Sequence, residues 1–394
     1  MNPSVPVRSA IPIVVATVFV DVVGFAMVLP LLPSYAARFG SSPFLIGVLV
    51  ASYSAMQFVF APFWGRVSDR VGRRPVLLLG LAGSVVSYIL FAMSTGFTLL
   101  LVSRLLDGGS GATINVAQAY LADETTPERR TRAMGIVGAA FGLGFIVGPI
   151  LGGITSSIDL ALPGYAAAAL TAANMLFAWI KLPESHHAPS RPPARHVPLP
   201  WRAIGPPVAV LFAATIAFSV MYVVFPLFGE LRFGATRSMV SYWFAFVGLV
   251  TAIVQGGLLG RLVTRLGETR VARLGTAMLA TGFFLVPIVG AIGKPGVLFY
   301  GVLALLGAGF GMTGPSMVGL VSRFTDAARQ GRVLGVTQSA SSMARIVGPI
   351  VAGLVMQSRS AETAFRTSAA LAAIGLVVAI VMRPVYGTVD EAAR

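Results

Sequence analysis

Cysteine is absent from the 394-residue sequence, and its three histidines, His186, His187 and His196, all lie in one polar stretch. The lack of cysteine excludes disulfide bonds, thiol catalysis and cysteine-ligated metal clusters. The grouping of the histidines excludes them as proton carriers or metal ligands inside an apolar segment. Charged residues are also scarce, because they make up 11% of the chain, against roughly 25% in soluble domains. These shortages exclude a sizeable water-soluble domain.

Apolar residues make up 56% of the chain, and its mean hydropathy is +0.83. A helix that crosses a bilayer needs about 20 mostly apolar residues. We predict twelve such spans, at residues 11–36, 44–65, 75–94, 97–121, 133–155, 162–182, 204–229, 238–260, 271–291, 296–320, 333–356 and 362–382. The first window has no short apolar core with a cleavage site, so we interpret it as a retained span rather than a signal peptide.

The longest polar interruption, residues 183–202, is rich in proline and divides the spans six and six. Proline disfavours a regular helix, so we expect an extended linker here. The sequence therefore predicts an all-α membrane protein with twelve transmembrane helices in two six-helix pseudo-symmetric halves around a central cavity. We place the N-terminal half at 1–182, a cytoplasmic linker at 183–203 and the C-terminal half at 204–394.

The chain has an excess of basic residues, with a net charge of +15, and most of them lie on one side of the predicted membrane. If the N-terminus is cytoplasmic, most of the 29 lysines and arginines fall on the cytoplasmic side. The opposite side receives only Arg38, Arg232, Arg237, Lys294, Arg359 and Arg366. Such an excess is typical of cytoplasmic loops. We therefore predict a multi-pass protein of the plasma or inner membrane with both termini in the cytoplasm, and we expect no nucleic-acid partner.

The two halves are related by an internal repeat. The segment RAMGIVGAAFGLGFIVGPILGG, residues 132–153, matches RVLGVTQSASSMARIVGPIVAG, residues 332–353, at an offset of 200. A second match, at an offset of 195, pairs residues 65–72 with residues 260–267. A six-span unit duplicated in parallel orientation is a transporter architecture, with the substrate site near the midplane between the halves.

Four motifs of the N-terminal half are rich in glycine or proline, and three of them also carry charge. They are Gly65-Arg-Val-Ser-Asp69-Arg70-Val-Gly72-Arg73-Arg74 after span 2, Gly144-x-x-x-Gly148-Pro149-x-x-Gly152-Gly153 in span 5, Asp21-Val-Val-Gly24-Phe25 in span 1 and Arg104-Leu-Leu-Asp107-Gly108 in span 4. With these motifs, the whole chain resembles the major facilitator superfamily and, within it, the twelve-span drug:proton antiporters, which include tetracycline efflux proteins. The resemblance implies a proton-coupled exporter that works by alternating access. It also implies a monomer with no cofactor besides the proton gradient.

Within this resemblance, the loop after span 2 corresponds to a cytoplasmic gate formed by Gly65, Asp69, Arg70, Gly72 and Arg73. Asp123 at the end of span 4 is placed to pair with Arg70 or Arg73, although a solvated charge cluster explains it almost as well. The arginines alone also fit a role as topology anchors. The small residues of span 5, with Gly348 and Pro349 in span 11, permit close helix packing. The resemblance adds a hinge or seal to that packing role.

Charges inside the spans are the candidate functional groups. Asp21 lies ten residues into span 1, about 15 Å deep at 1.5 Å per residue. A charge at that depth is costly, so we predict proton coupling by Asp21, Arg104 and Asp107. For Asp21, the alternative is a satisfied structural carboxylate. For Asp107, it is simple neutralisation of Arg104 three residues earlier.

Arg345 in span 11 stands where the repeat has Phe145. It can bind an anionic group of the substrate, pair with Asp21 or Asp107, or contact backbone carbonyls. We predict a substrate cavity, although packing against lipid or another helix explains any single aromatic residue better than a cavity role does. Its members are Phe25, Asn115, Gln118, Tyr222, Phe225, Phe310, Gln338, Ser342 and Arg345.

The predicted partners are a small-molecule substrate, protons and the lipid bilayer. The first functional hypothesis is an exporter of amphiphilic compounds or drugs. The alternatives are an exporter of one endogenous anionic metabolite, siderophore, sugar conjugate or lipid-like molecule, and a non-transporting membrane sensor or scaffold. An enzyme is not expected, because the sequence offers no nucleophile–base pair, metal site or phosphate cradle.

Overall fold

The structure is a computed structural model that describes residues 10–111, 113–125, 127–185, 199–324 and 330–382. These residues form helices that group into twelve rods, which we call spans 1 to 12. In chain order the spans comprise Ala10–Val28 with Leu29–Leu31 and Leu32–Arg38; Pro43–Val71; Arg73–Ala92; Phe97–Ser110 with Thr113–Glu124; Pro127–Ile158; Leu162–Lys181; Trp201–Phe218 with Val220–Phe233; Arg237–Ile253 with Val254–Leu258 and Leu259–Leu266; Glu268–Gly290; Val297–Arg323; Gln330–Ser358; and Ala361–Val381.

Ten helices of the described chain are long and apolar enough to cross a membrane. The all-α fold is thus confirmed, and the twelve rods match the twelve predicted windows, although spans 4 and 6 are not among these ten helices. Most of the predicted linker, including its three histidines, lies outside the described residues, as do both ends of the chain.

Four spans depart from regular α-helix. Span 1 tightens to a 3-10 turn at Leu29–Leu31, where Pro30 cannot donate to the helical ladder. Span 4, predicted as one helix, is broken at Gly111, whose ψ of 46° lies outside the helical region. Span 7 is divided at Ser219, and span 8 widens to a π-helix at Val254–Leu258. Hydropathy predicted the positions of these spans but not their interruptions.

Glycine allows the helices within each half to pack with their backbones nearly touching. In the first half, Gly144, Gly148 and Gly152 face span 1, and a Cβ added at Gly152 would overlap the carbonyl oxygen of Met27. In the second half, Gly348 faces span 7, against Ser219. Span 5 continues as a helix through Pro149 to Ile158. The predicted packing role of these glycines therefore agrees with their contacts.

The two halves meet along two seams, span 2 against span 11 and span 5 against span 8. Gly47 packs on the backbone of Pro349, and Gly353 packs on that of Pro43, so spans 2 and 11 are antiparallel. At the other seam, Gly153 packs on the ring of Tyr242. Gly153 and Gly353, related by the 200-residue repeat, thus both face the opposite half.

Polar contacts between the halves concentrate at one end of the bundle. The end near residues 38–43 and 358–361, which we call the far end, is crossed by three hydrogen bonds between described residues of the two halves. These are Ser34 Oγ to Glu230 Oε1 at 2.5 Å, Phe44 N to Gln357 Oε1 at 3.2 Å and Ser238 Oγ to the Gly153 carbonyl at 2.8 Å. The other end, which carries the arginines of residues 66–74 and 261–273, we call the basic end.

Toward the basic end, the polar side chains of Asn115, Gln118 and Gln338 are exposed. The described seam contacts lie in the far half of spans 2, 5, 8 and 11. The described contacts between the halves thus concentrate toward the far end, and we interpret the structure as a state in which the central cavity opens toward the basic end.

The glycine contacts predict an asymmetric response of span 5 to added methyl groups. Gly152→Ala should lower the free energy of unfolding by about 1–3 kcal/mol, because the overlapping atoms belong to a neighbouring backbone that cannot rotate away. Gly142→Ala is the matched control, since no heavy atom outside its own helix lies within 4 Å of the new Cβ. Thermal unfolding followed by intrinsic tryptophan fluorescence measures both variants. Equal melting temperatures for the two would contradict the packing described for span 5.

Candidate functional site

A buried ion pair lies at the middle of span 4. Arg104 Nη1 donates to Asp107 Oδ2 at 3.2 Å, and the side chains are 1% and 3% exposed. Arg104 Nη2 also donates to Ser87 Oγ at 3.3 Å, and the guanidinium stands 5.6 Å from the ring centre of Phe91. Asp107 accepts a further hydrogen bond from Ser84. The predicted neutralisation of Arg104 by Asp107 is therefore present, and span 3 supplies its remaining partners.

Asp21 lies beside this pair but is not part of it. Its side chain is half-buried, and among the described residues it makes neither a hydrogen bond nor an ion pair. The charge that acts on it is that of Asp107. Asp21 is thus a carboxylate in an apolar span that lies close to a second carboxylate and has no cation of its own. Such a group is stable there when it carries a proton or when it faces water.

The break in span 4 leaves backbone carbonyls close to Asp107. Span 2 satisfies two of them, because Trp64 Nε1 donates to Gly109 at 2.6 Å and Gln57 Nε2 donates to Gly111 at 3.4 Å. Tyr53, also in span 2, contacts Gly108 with its backbone, so only glycine fits at that position. The sequence analysis missed these span 2 residues, because single uncharged polar side chains within an apolar window give no pattern.

Arg345 extends from the second half toward the same region. Its described hydrogen bond runs from Nη2 to Ser342 Oγ at 3.0 Å, on its own helix. It also interacts electrostatically with Tyr53 across the seam and with Tyr222 in span 7. Among the described residues Arg345 forms no ion pair with Asp21 or Asp107, so the predicted pairing is not found in this state.

Aromatic rings cover the two sides of the central region. On the first half, the ring of Phe25 lies 4.7 Å from that of Tyr53 and 6.2 Å from that of Phe145. On the second half, Phe310 stacks on Phe218 at 4.1 Å. Each predicted cavity residue among these rings is half-buried.

Phe225 is placed differently from its prediction. It is fully buried in an aromatic core with Trp243, Phe244 and Phe299, at ring distances of 5.7–6.2 Å. The rings of spans 8 and 10 cover it, so it does not line the cavity in this state. Of the two predicted cavity residues in span 7, Tyr222 is half-buried and Phe225 is fully buried.

The predicted gate residues form a charge network at the basic end. Arg73 bonds to Asp69 at 2.6 Å and to Asp123 at 3.0 Å, which is one of the two pairings expected for Asp123. Gly72 has a φ of 110°, a conformation that favours glycine, and it allows spans 2 and 3 to turn sharply. Arg70 is exposed, and Gly65 has open space around it.

Glu184 completes this network, although the sequence analysis did not select it. Its Oε1 atom accepts the backbone N–H groups of Arg73 at 2.7 Å and Arg74 at 3.2 Å. A carboxylate at this position satisfies free donors at the start of span 3 and interacts favourably with the helix dipole. The chain that leaves span 6 is thereby held against the gate loop.

The second half contains the same gate pair with the charges exchanged. Arg323 at the end of span 10 bonds to Glu268 at the start of span 9, with a distance of 3.2 Å. The repeat offsets of 195 and 200 relate these residues to Arg73 and Asp123. The repeat therefore carried the signal for this pair, which becomes recognisable only once the first pair is known.

Comparison with known proteins decides the family. The family model of the Major Facilitator Superfamily matches residues 14–346 of the chain. The chain belongs to this superfamily. The tetracycline resistance protein, class C, of Escherichia coli is 34% identical over 362 residues, which cover 87% of this chain and 89% of that protein. Multidrug resistance protein 2 of Bacillus subtilis (strain 168) is 29% identical over 355 residues, which cover 87% and 88% of the two chains.

The crystal structure of the human organic anion transporter MFSD10 (TETRAN) has the same fold. Its TM-score to this chain is 0.70 at 24% identity, with 95% of this chain and 100% of that chain covered. This likeness supports the fold of a major facilitator. Membership of the superfamily identifies the chain as a multi-pass membrane transporter of small molecules.

The Arg104–Asp107 pair predicts a strong dependence of stability on charge balance. Asp107→Asn should lower the free energy of unfolding by about 3–5 kcal/mol, because it leaves a buried arginine without its anion. The double variant Arg104→Gln with Asp107→Asn should recover part of this loss, because the unpaired charge is then removed. Tryptophan fluorescence during thermal unfolding of the detergent-purified protein measures each variant.

The exposed pair Arg232–Glu362 at the far end provides the control. Glu362→Gln should cost at most about 1 kcal/mol, as is usual for exposed ion pairs. If Asp107→Asn melts at the same temperature as Glu362→Gln, Arg104 does not depend on Asp107.

Proposed function

We propose that the protein is a proton-coupled exporter of amphiphilic drugs of the tetracycline type that works by alternating access. The observation that carries this proposal is Asp21, a carboxylate without a cation partner that lies beside a buried ion pair and next to an open cavity. The relatives named as tetracycline and multidrug resistance proteins support the substrate class.

In this proposal, Asp21 takes up and releases the proton, while the ion pair of Arg104 and Asp107 keeps the neighbouring charges constant. Protonation removes a charge that the apolar interior disfavours, so it changes the relative free energies of the two access states. One proton that moves across 100 mV supplies about 2.3 kcal/mol, enough for about fifty-fold accumulation of a substrate.

The halves 1–182 and 204–394 are proposed to move as two bodies joined by the linker 183–203. Asp69, which is 61% exposed in this state, would hold the basic end in its closed state by lying against the positive N-terminal end of a helix of the other half, while Arg73 and Asp123 position the loop. Span 5, with Gly148 and Pro149, would supply the hinge, and the half-buried rings and polar groups around the cavity would contact the substrate.

The orientation is proposed from the distribution of charge. The basic end faces the cytoplasm, and both termini lie there, in a plasma or inner membrane. A drug would then enter the open cavity from the cytoplasm. We further propose that the protein acts as a monomer and uses the proton gradient without a cofactor.

A second candidate function is the export of one endogenous anionic compound, such as a siderophore, a sugar conjugate or a lipid-like metabolite. The observation that favours it is Arg345, an interior cation without an acidic partner among the described residues. Membership of a transporter superfamily argues against a sensor or scaffold without transport activity.

Asp21→Asn tests the proton-coupled function. Everted membrane vesicles that contain the wild-type protein should accumulate tetracycline when respiration builds a proton gradient, and a protonophore should abolish the accumulation. Asp21→Asn should reduce the accumulation at least about ten-fold, because its amide cannot exchange the proton. Asp159→Asn is the matched control, since Asp159 is an exposed loop carboxylate that caps the turn before span 6.

Full accumulation by Asp21→Asn would remove this residue from the coupling mechanism. Wild-type accumulation that persists after the gradient collapses would show that transport is not driven by protons. Loss of accumulation in Asp159→Asn would mean that the assay reports folding rather than coupling.

A further inference from the structure

Arg345 places a permanent positive charge inside the bundle. An arginine side chain stays protonated in proteins and carries five N–H donors. Its described hydrogen bond uses the hydroxyl of Ser342, three residues earlier in span 11. The remaining donors have no carboxylate partner among the described residues. A charge at mid-bilayer depth is costly, so this arrangement is stable only if water or a ligand reaches the guanidinium.

The seam determines what lies opposite Arg345. Because Gly47 packs on Pro349 and Pro43 packs on Gly353, the antiparallel register brings Arg345 level with the region around Ala51. The side chain of Tyr53 lies just beyond that level toward the basic end. Tyr53 and Tyr222 are the groups that interact electrostatically with the guanidinium. The polar side chains near the cation are thus these two tyrosines and Ser342, and none of them is an acid.

Flat apolar surfaces flank this polar cluster on both sides. Phe25 packs on the ring of Tyr53 in the first half, and Phe218 packs on the rings of Tyr222 and Phe310 in the second half. Tyr53, Tyr222, Phe25 and Phe310 are all half-buried, as expected for walls of an open cavity. Ligand pockets commonly combine apolar and aromatic walls with a few polar groups that set the orientation.

The pseudo-symmetry makes the two sides of the cavity chemically different. The repeat aligns Arg345 with Phe145, so one half presents a cation where the other presents an aromatic ring. The first half holds the acidic residues Asp21 and Asp107, and the second of these is already neutralised by Arg104. Positive charge on the second-half wall is therefore open to a ligand.

We propose that Arg345, Ser342, Tyr53 and Tyr222 form a subsite for the acidic group of a flat, amphiphilic substrate, namely a carboxylate, an enolate or an acidic phenol. The guanidinium matches such oxygen pairs in a two-point geometry that an ammonium group does not reproduce. This inference rests on the proposed function, because it names the substrate chemistry that the exporter recognises. It concerns equilibrium binding, so it is testable without a proton gradient.

The experiment compares two dyes that share one flat ring system. Rhodamine B carries a free carboxylate, and rhodamine B ethyl ester carries the same group in neutral form. Each dye is titrated with the purified full-length protein in detergent, and binding is measured by fluorescence anisotropy. The proteins compared are the wild type, Arg345→Gln, Arg345→Lys and the control Arg359→Gln, which removes an exposed arginine at the far end.

The wild type should bind rhodamine B at least about ten-fold more tightly than the ester. Arg345→Gln should weaken rhodamine B binding roughly ten- to a hundred-fold and change ester binding less than about three-fold, as expected for loss of a hydrogen bond to a charged group. Arg345→Lys should retain part of the affinity because it keeps the charge but not the planar fork. Arg359→Gln should bind both dyes as the wild type does.

Three results would overturn the subsite. They are equal affinity of the wild type for the two dyes, equal weakening of both dyes by Arg345→Gln, and no binding of either dye to the folded wild type. Arg345→Lys keeps the test valid if the glutamine variant does not fold. Selective loss of rhodamine B binding together with failed tetracycline transport would leave the anion subsite in place and reject the exporter function alone.

Discussion

Charge inside an apolar bundle is the constraint on which the arrangement of this protein depends. A charged side chain at the centre of a bilayer costs about 3 kcal/mol or more, and the interior residues meet this cost in two ways. Arg104 and Asp107 offset each other and are fully buried. Asp21 and Arg345 have no oppositely charged partner among the described residues and are half-buried near the seam. The first pair is therefore structural as it stands, whereas the second two groups need a proton, water or a ligand. That difference is the reason why we propose that the transport chemistry takes place between the halves.

Neighbouring glycines of the same helix pack against different halves of the protein. Gly152 holds span 5 against span 1 within one half, and the neighbouring Gly153 touches Tyr242 of the other half. Close backbone contacts occur within a half and also between the halves, where Gly47 packs on Pro349 and Gly353 packs on Pro43. At the far end, three described hydrogen bonds add to this packing, each worth about 1 kcal/mol. Opening of the far end must therefore separate closely packed backbones as well as break hydrogen bonds.

Hydropathy predicted the twelve spans, and the proline-rich interruption and the internal repeat predicted their division into halves. The position of Asp123 at the end of span 4 predicted a pairing with Arg70 or Arg73, and it pairs with Arg73. They did not predict the break at Gly111, because an apolar window reports burial and not backbone geometry. Phe225 was assigned to the cavity because aromatic residues commonly form the walls of ligand pockets, yet the rings of spans 8 and 10 bury it, and those partners are distant in sequence. Tyr53 was missed for the same reason, since its importance comes from neighbours on three other spans and not from its own segment.

The central claim is that the two halves rock about the seam, so that one end closes when the other opens. Because the chain has no cysteine, spin labels attach only at introduced cysteines. Double electron–electron resonance measures the distance between two such labels. Two pairs of exposed arginines are replaced, Arg66→Cys with Arg265→Cys at the basic end and Arg38→Cys with Arg359→Cys at the far end. The account predicts that tetracycline and a change of pH shorten the first distance and lengthen the second by several ångströms in the same population. Distances that stay constant, or that change in the same direction at both ends, would contradict it.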